Sequence, residues 1–196
     1  ELHVVVDELE KAIEECDDLL TQNEAFMART KNVSNLTIKD AVDFGVTGPI
    51  LRSTGLIEDV RISEPYGIYD RFDFGIPIGS TGDCWDRYYV RIQEMRESLS
   101  IIKQATKQME PGEVHAKIRR IVRPPKGECY MRSESPRGDL SVFLVSDGSQ
   151  NPYRVKVRTP SFANLQAIKH MLAGVYVADA VVILGSLDIV LGEVDR

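Results

Sequence analysis

Residues 128–158 read ECYMRSESPRGDLSVFLVSDGSQNPYRVKVR, and the fold class turns on this stretch. Apolar residues recur at alternate positions, the repeat of a pleated strand whose successive side chains point to opposite faces. Two turn signals, Pro136-Arg137-Gly138 and Asp147-Gly148-Ser149, divide it into strands at 128–134, 139–146 and 153–158, the pattern of antiparallel hairpins. In the last strand Arg154, Lys156 and Arg158 point one way and Val155 and Val157 the other, so the valines are expected to face inward.

Upstream, the basic segment Arg119-Arg120-Ile121-Val122-Arg123-Pro124-Pro125 marks the change of period. Before it, Trp85, Tyr88, Ile92, Met95, Leu99, Ile102 and Met109 mark one face of a helix beginning near Asp83. Arg87, Arg91, Glu94 and Glu97 mark its other face, and Pro111-Gly112 ends it. Over residues 2–28, Leu2, Val5, Leu9, Ile13, Cys16 and Leu20 recur every three or four positions. That spacing predicts one long amphipathic helix with this stripe packed against other helices. Residues 45–82 join the two helices without a sustained period, and Tyr66, Tyr69, Phe72 and Phe74 predict an ordered connection packed over them. Downstream, Thr159-Pro160 gives an N-cap followed by proline at the first helical position, Gly174 closes that helix, and a last apolar helix covers 178–194. The expected fold is α+β and mainly helical. It has a helical part over 1–110 with a long connection, antiparallel strands within 119–158, and C-terminal helices over 159–196.

The 196 residues, 43% apolar and 28% charged, are enough for one domain with its own core. A net charge of -6 disfavours nucleic acid, whose binding draws on Lys and Arg neutralising phosphates. Cys16, Cys84 and Cys129 are odd in number and form no CxxC pair, which fits a reducing compartment. The longest apolar stretch, 174–192, is interrupted by Asp179 and Asp188, whereas a membrane-spanning helix needs about 20 nearly uninterrupted apolar residues. Glu1-Leu2-His3 leads into an acidic amphipathic run rather than a secretory signal. With no initiator Met, the chain reads as part of a longer protein.

The common active-site signatures are missing: there is no phosphate-binding glycine loop, no Gly-x-Ser-x-Gly, no HExxH and no cysteine cluster. His3, His115 and His170 stand on separate elements and read as surface or structural residues. The C-terminal helix carries three carboxylates among apolar neighbours. Glu193 and Asp195 read as a frayed end in water. Asp188 lies inside the apolar run and needs a cationic partner, because a buried unpaired charge is costly. Arg137, on the tight turn Ser135-Pro136-Arg137-Gly138, is a candidate partner; the alternative is an exposed turn arginine.

Four segments resemble, in order, the family of the D subunits of respiratory complex I. Phe44-Gly45-Val46-Thr47-Gly48-Pro49-Ile50-Leu51-Arg52 is similar to its Gly-x-[ST]-Gly-Pro-x-Leu-Arg signature. The others are Gly82-Asp83-Cys84-Trp85-Asp86-Arg87-Tyr88, Pro152-Tyr153-Arg154-Val155-Lys156-Val157-Arg158-Thr159-Pro160-Ser161-Phe162, and Gly185-Ser186-Leu187-Asp188-Ile189-Val190-Leu191-Gly192-Glu193-Val194-Asp195-Arg196. The resemblance implies the C-terminal half of the quinone-side subunit of a bacterial respiratory NADH-quinone oxidoreductase. That subunit is itself similar to the large subunit of nickel-iron hydrogenases, which implies a hydrogenase-large-subunit-like helical body.

The hydrogenase motif Asp-Pro-Cys-x-x-Cys reads here Asp188-Ile189-Val190-Leu191-Gly192-Glu193, so Val190 and Glu193 stand where the cysteines would be. Nickel requires those soft thiolates; hydrogenase activity is thereby excluded, and no metal or other cofactor is expected in this chain. The motif Glu-x-Pro-Arg-Gly, which places an arginine over the metal, survives as Glu134-Ser135-Pro136-Arg137-Gly138. The resemblance therefore implies that Arg137 faces Asp188 across a cavity for a quinone headgroup, near the terminal iron-sulfur cluster of a neighbouring subunit, with Val190 and Gly192 in its wall. The implied reaction is electron transfer to the quinone with proton uptake, driving ion pumping in a membrane arm, while Asp188 and Arg137 set the local field and protonation. The implied partners are the other peripheral-arm subunits and the membrane arm, on the cytoplasmic side of the bacterial plasma membrane. The family's quinone-headgroup His and Tyr belong to the N-terminal half, so this chain alone is expected to show no turnover. A second reading makes it an assembly scaffold, with the basic strand face and Arg119, Arg120 and Arg123 docking neighbours rather than lying solvated. A third, a stand-alone metal enzyme, conflicts with the lack of ligands.

Overall fold

A computed structural model of the chain describes residues 2–116 and 121–195. In chain order its helices before the sheet are α1 (Leu2–Leu20), α2 (Glu24–Thr30), α3 (Ile38–Asp43), α4 (Pro49–Ser53), α5 (Val60–Ser63) and α6 (Cys84–Gln108). The strands β1 (Gly127–Ser135), β2 (Gly138–Ser146) and β3 (Arg154–Arg158) follow, then α7 (Pro160–Asn164), α8 (Ile168–Met171), α9 (Asp179–Leu187) and α10 (Leu191–Val194). This is the expected α+β fold, mainly helical with a small antiparallel sheet.

The sheet has the order β1-β2-β3, with Ser135 opposite Gly138 across a two-residue turn. The valines of β3 do not face inward as expected. Val155 and Val157 remain 47% and 36% exposed, and by register they share a face with Cys129, Met131, Val142 and Leu144. The opposite face carries Arg132, Ser141 and Arg158. That end is covered because its charges find partners there: Arg132 meets Glu64 at 2.7 Å and Asp139 at 3.0 Å, and Arg158 donates to the carbonyl of Gly45 at 2.7 Å, while Arg154 and Lys156 on the same face stay exposed.

α6 begins where expected, with the Asp83 carboxylate accepting the Asp86 N–H at 2.8 Å. Its charged face, however, does not lie in water. Arg87 is fully buried and ties α6 to α9 through Ser186 Oγ at 2.9 Å and to the carbonyls of Gly82 and Ser34. Along the apolar face marked by the sequence, Met95, Ile102 and Met109 are exposed. The connection over 45–82 is ordered and contains α4, α5 and a short 3-10 turn, Tyr69–Arg71. It is fastened to α6 by Gly75 N–H to Glu97 and Asp73 N–H to Gln104, both at 2.9 Å.

The expected helix over 2–28 is two helices. It stops after Leu20, where Thr21 bonds Asp17 and Tyr88, and Asn23 starts α2 by accepting the Phe26 N–H. α1 runs antiparallel to α6, with Glu10 to Lys103 and Asp17 to Arg96 as its ion pairs. The packed line is Val6 and Ile13 against Ile92 and Leu99; Leu2, Val5 and Leu9 of the expected stripe stay about half exposed.

The last helix is likewise broken. α9 ends at Leu187, and Asp188 takes the left-handed conformation, φ 52° and ψ 56°, which Asp tolerates better than most residues. The chain then turns onto α7, where the Glu193 carboxylate accepts the N–H and hydroxyl of Ser161 and its carbonyl accepts Thr159 Oγ1 at 2.7 Å. Glu193 is therefore a tie and not a frayed end. The main core joins Leu36, Ile50, Leu51, Cys84, Met171, Ile183 and Leu187. No helix among the described residues is long and apolar enough to cross a membrane. Of the basic segment, Arg119 and Arg120 lie outside the described residues, and Arg123 is exposed.

Candidate functional site

The turn that carries Arg137 is pinned from two sides. Gly48 lies so close that a Cβ there would fall 2.4 Å from Gly138 Cα, and its φ of +70° also favours glycine. Thr47 Oγ1 accepts the Asp139 N–H at 3.2 Å. Asn164 on α7 accepts the Thr47 N–H at 2.9 Å and donates to the Arg137 carbonyl at 3.1 Å. From this mount the guanidinium reaches Asp188: Nε donates to its carbonyl at 2.8 Å, and Nη2 lies 3.3 Å from Oδ1. The left-handed backbone of Asp188 lets one residue present both acceptors. A second guanidinium, that of Arg91 on α6, has Nε 3.8 Å from Oδ2.

These three side chains line a cavity of about 870 Å3. Phe26 from α2, Tyr88, Ile92 and Met95 from α6, and Val182 from α9 supply its apolar lining. Arg52, Glu94 and Glu134 supply a buried charge cluster. Arg52, 2% exposed in its side chain, holds Glu94 at 2.7 Å and Glu134 at 2.9 Å and donates to the Glu58 carbonyl at 2.8 Å. Asp59 lies 3.7 Å away and is taken up by Arg61 at 2.6 Å, whose guanidinium stacks over Phe74.

Burial pushes the carboxyl groups of Glu94 and Glu134 above the ordinary glutamate range, with the charge of Arg52 pulling the other way. For Arg52, burial favours the neutral form, but the two glutamates outweigh it and the pKa is raised. Burial also lowers Arg91, to about 10, against the attraction of Asp188 and Glu94. The cavity thus joins apolar walls to cations and to acids that take up protons more readily than glutamates in water.

The chain matches the family model described as respiratory-chain NADH dehydrogenase, 49 Kd subunit, over residues 1–126 and 117–196. It belongs to that family. The D subunit of the NADH-quinone oxidoreductase of Desulforamulus reducens is 50% identical over 190 residues, covering 97% of this chain and 52% of the relative. The proteins of the same description from Bacillus mycoides and Wolbachia pipientis wMel are 48% and 42% identical, over 95% and 97% of this chain and 51% and 55% of theirs. The chain spans about half the length of the curated relatives it matches.

In this member of the 49 kDa family, Arg137 and Asp188 meet at the cavity. Val190 and Gly192 are not among its lining residues: the turn at Asp188 carries them toward α7, where the Val190 N–H approaches Ser161 Oγ at 3.4 Å. Val190 and Glu193 do not fit a nickel site, and the described residues contain no group of three or more His, Cys, Asp or Glu placed to hold a metal. His170 sits 3.6 Å from Asp40, away from the cavity. Sequence reading missed Arg52, Arg61, Arg91, Glu94 and Asp59 as site residues. A signal existed for two of them, since an arginine closing the apolar run Pro49-Ile50-Leu51 and a second at Arg91, four residues after Arg87 and three before Glu94, mark helical faces with charge to satisfy.

Proposed function

We propose that this chain is the C-terminal half of the D subunit of an NADH-quinone oxidoreductase and forms one wall of the cavity where quinone is reduced, beside the iron-sulfur cluster of a neighbouring subunit. The observation that carries this reading is the Arg137–Asp188 pair at the edge of a cavity of about 870 Å3, within the usual range for a small-molecule site. Apolar side chains such as Phe26, Tyr88 and Met95 cover the ring and the start of the tail. Arg137 donates to a carbonyl oxygen, Asp188 holds the Arg137 guanidinium in place, and Glu94 and Glu134 accept and hold protons around it. The cluster supplies electrons; this chain supplies orientation, field and proton sites. Changes in the Arg137–Asp188 contact couple reduction to movement of the surrounding loops and so to ion pumping in the membrane arm. The chain works with the other peripheral-arm subunits on the cytoplasmic side of the bacterial plasma membrane.

In the assembled complex, Asp188→Asn should lower quinone reduction about tenfold, equivalent to about 1.4 kcal/mol of barrier, while electron delivery to ferricyanide stays unchanged. Unaltered quinone reduction and pumping would overturn the reading. A scaffold role is favoured by one observation, the exposed sheet face around Met131 and Val155. If that is its main role, Met131→Asp with Val155→Asp lowers the yield of assembled complex but not the rate per complex.

A further inference from the structure

The guanidinium of Arg91 is incompletely used. Nη1 donates to the Arg87 carbonyl one turn back on α6, at 2.7 Å. Nε and Nη2, on the edge that takes a carboxylate side-on, are both shut from solvent and have no hydrogen-bond partner among the described residues. A buried donor without an acceptor is unfavourable by more than a typical hydrogen bond is favourable, so this edge calls for an oxygen.

The nearest carboxylate is Asp188. Its Oδ2 stands 3.8 Å from Arg91 Nε, beyond hydrogen-bond reach, while Oδ1 makes a long contact of 3.3 Å to Arg137 Nη2. The Asp188 backbone is fixed independently, its carbonyl held by Arg137 Nε at 2.8 Å and its N–H donated to the Gly185 carbonyl at 3.1 Å. A move of the carboxylate from one arginine to the other therefore needs only side-chain rotation. Two guanidinium groups share one carboxylate, which leaves one positive charge uncompensated at whichever arginine is released.

We propose that Arg91 is the second seat of the Asp188 carboxylate: when a ligand oxygen in the cavity takes Arg137, Asp188 turns onto the free edge of Arg91. Arg91 is then a positioning residue, acting through Asp188. This inference rests on the quinone-cavity reading. A ligand carbonyl, or the oxyanion formed as it is reduced, occupies Arg137 Nη2 and meets the released charge. Arg91 prevents the displaced carboxylate from being left unpaired.

The test is a double-mutant cycle in the assembled oxidoreductase, with Arg91→Gln, Asp188→Asn and the pair, each normalised by ferricyanide reduction. A hydrogen bond between charged groups is worth about one to two powers of ten in an equilibrium. Arg91→Gln should therefore lower kcat about tenfold with KM changed by less than about threefold, and Asp188→Asn on that background should add no further loss. Arg91→Lys, which keeps the charge but not the two-donor edge, should recover part of the rate, and it replaces Arg91→Gln in the cycle if the latter fails to assemble. Multiplicative losses, or Arg91→Gln at the wild-type rate, would overturn the proposal. A light-activated quinone analogue separates the two levels. Absence of labelling in the peptide holding Tyr88 and Met95 removes the quinone reading itself; labelling there with a multiplicative cycle removes only the role of Arg91.

Discussion

Replacing Arg52 with methionine removes the cation from a cluster of three buried carboxylates while keeping most of the side-chain volume. Glu94 and Glu134 lose bonds of 2.7 and 2.9 Å, and Asp59 keeps only Arg61. Removing one partner of a buried ion pair costs about 3–5 kcal/mol. With a urea dependence of about 2 kcal/mol per molar, the unfolding midpoint should fall by about 1.5–2.5 M. The pH dependence gives the sharper check. Burial already holds the folded pKa of both glutamates above the ordinary 4.5, and losing the opposing charge of Arg52 raises them further. The folded state then binds more protons than the unfolded one across that interval, so stability is retained below the unfolded value and lost as pH rises through the folded one. Urea titrations followed by circular dichroism should therefore show a smaller deficit near about pH 5 than near about pH 7.5. An equal deficit at both, or one below about 1 kcal/mol, would refute the view that Arg52 is the counterion of this cluster.

Gly48→Ala places a methyl group against the Arg137 turn at a positive φ; strain at such a backbone alone is about 1–3 kcal/mol, and an unchanged urea midpoint would show that the turn is not held there. Asp83→Ala removes the acceptor of both the Asp86 and Asn32 N–H groups and should cost about 1–2 kcal/mol, with faster hydrogen exchange in the first turn of α6 as the local readout. Glu193→Ala should cost about 1 kcal/mol and loosen residues 159–164, measurable by hydrogen exchange; protection equal to wild type would return Glu193 to a solvated end.

The sheet and α6 were legible because they are written in local terms. Alternation with two turn signals sets the hairpins, and the Asp83 cap with Pro111-Gly112 sets the ends of α6, whatever the rest of the chain does. For the contact between Arg137 and Asp188, local pattern offered only a candidate, a turn arginine and a carboxylate in an apolar run, and it was the resemblance of Glu134-Ser135-Pro136-Arg137-Gly138 that implied the two face each other. How such charges find partners is not local. Arg87 and Glu94 leave water because their partners arrive from Ser34, Ser186 and Arg52, separated from them by up to 99 residues. The valines of β3 stayed exposed while Arg158 on the opposite face found acceptors at Asp139 and Gly45. The expected last helix broke at Asp188 since the tertiary ties of Arg137 and Glu193 outweigh the propensity of an apolar run to continue as a helix. Local pattern was thus enough to set the three strands and the long helix α6 and to mark the charges that require partners. The buried face of each element, and the partner each charge takes, followed from packing alone, because those energies belong to contacts between segments far apart in the chain.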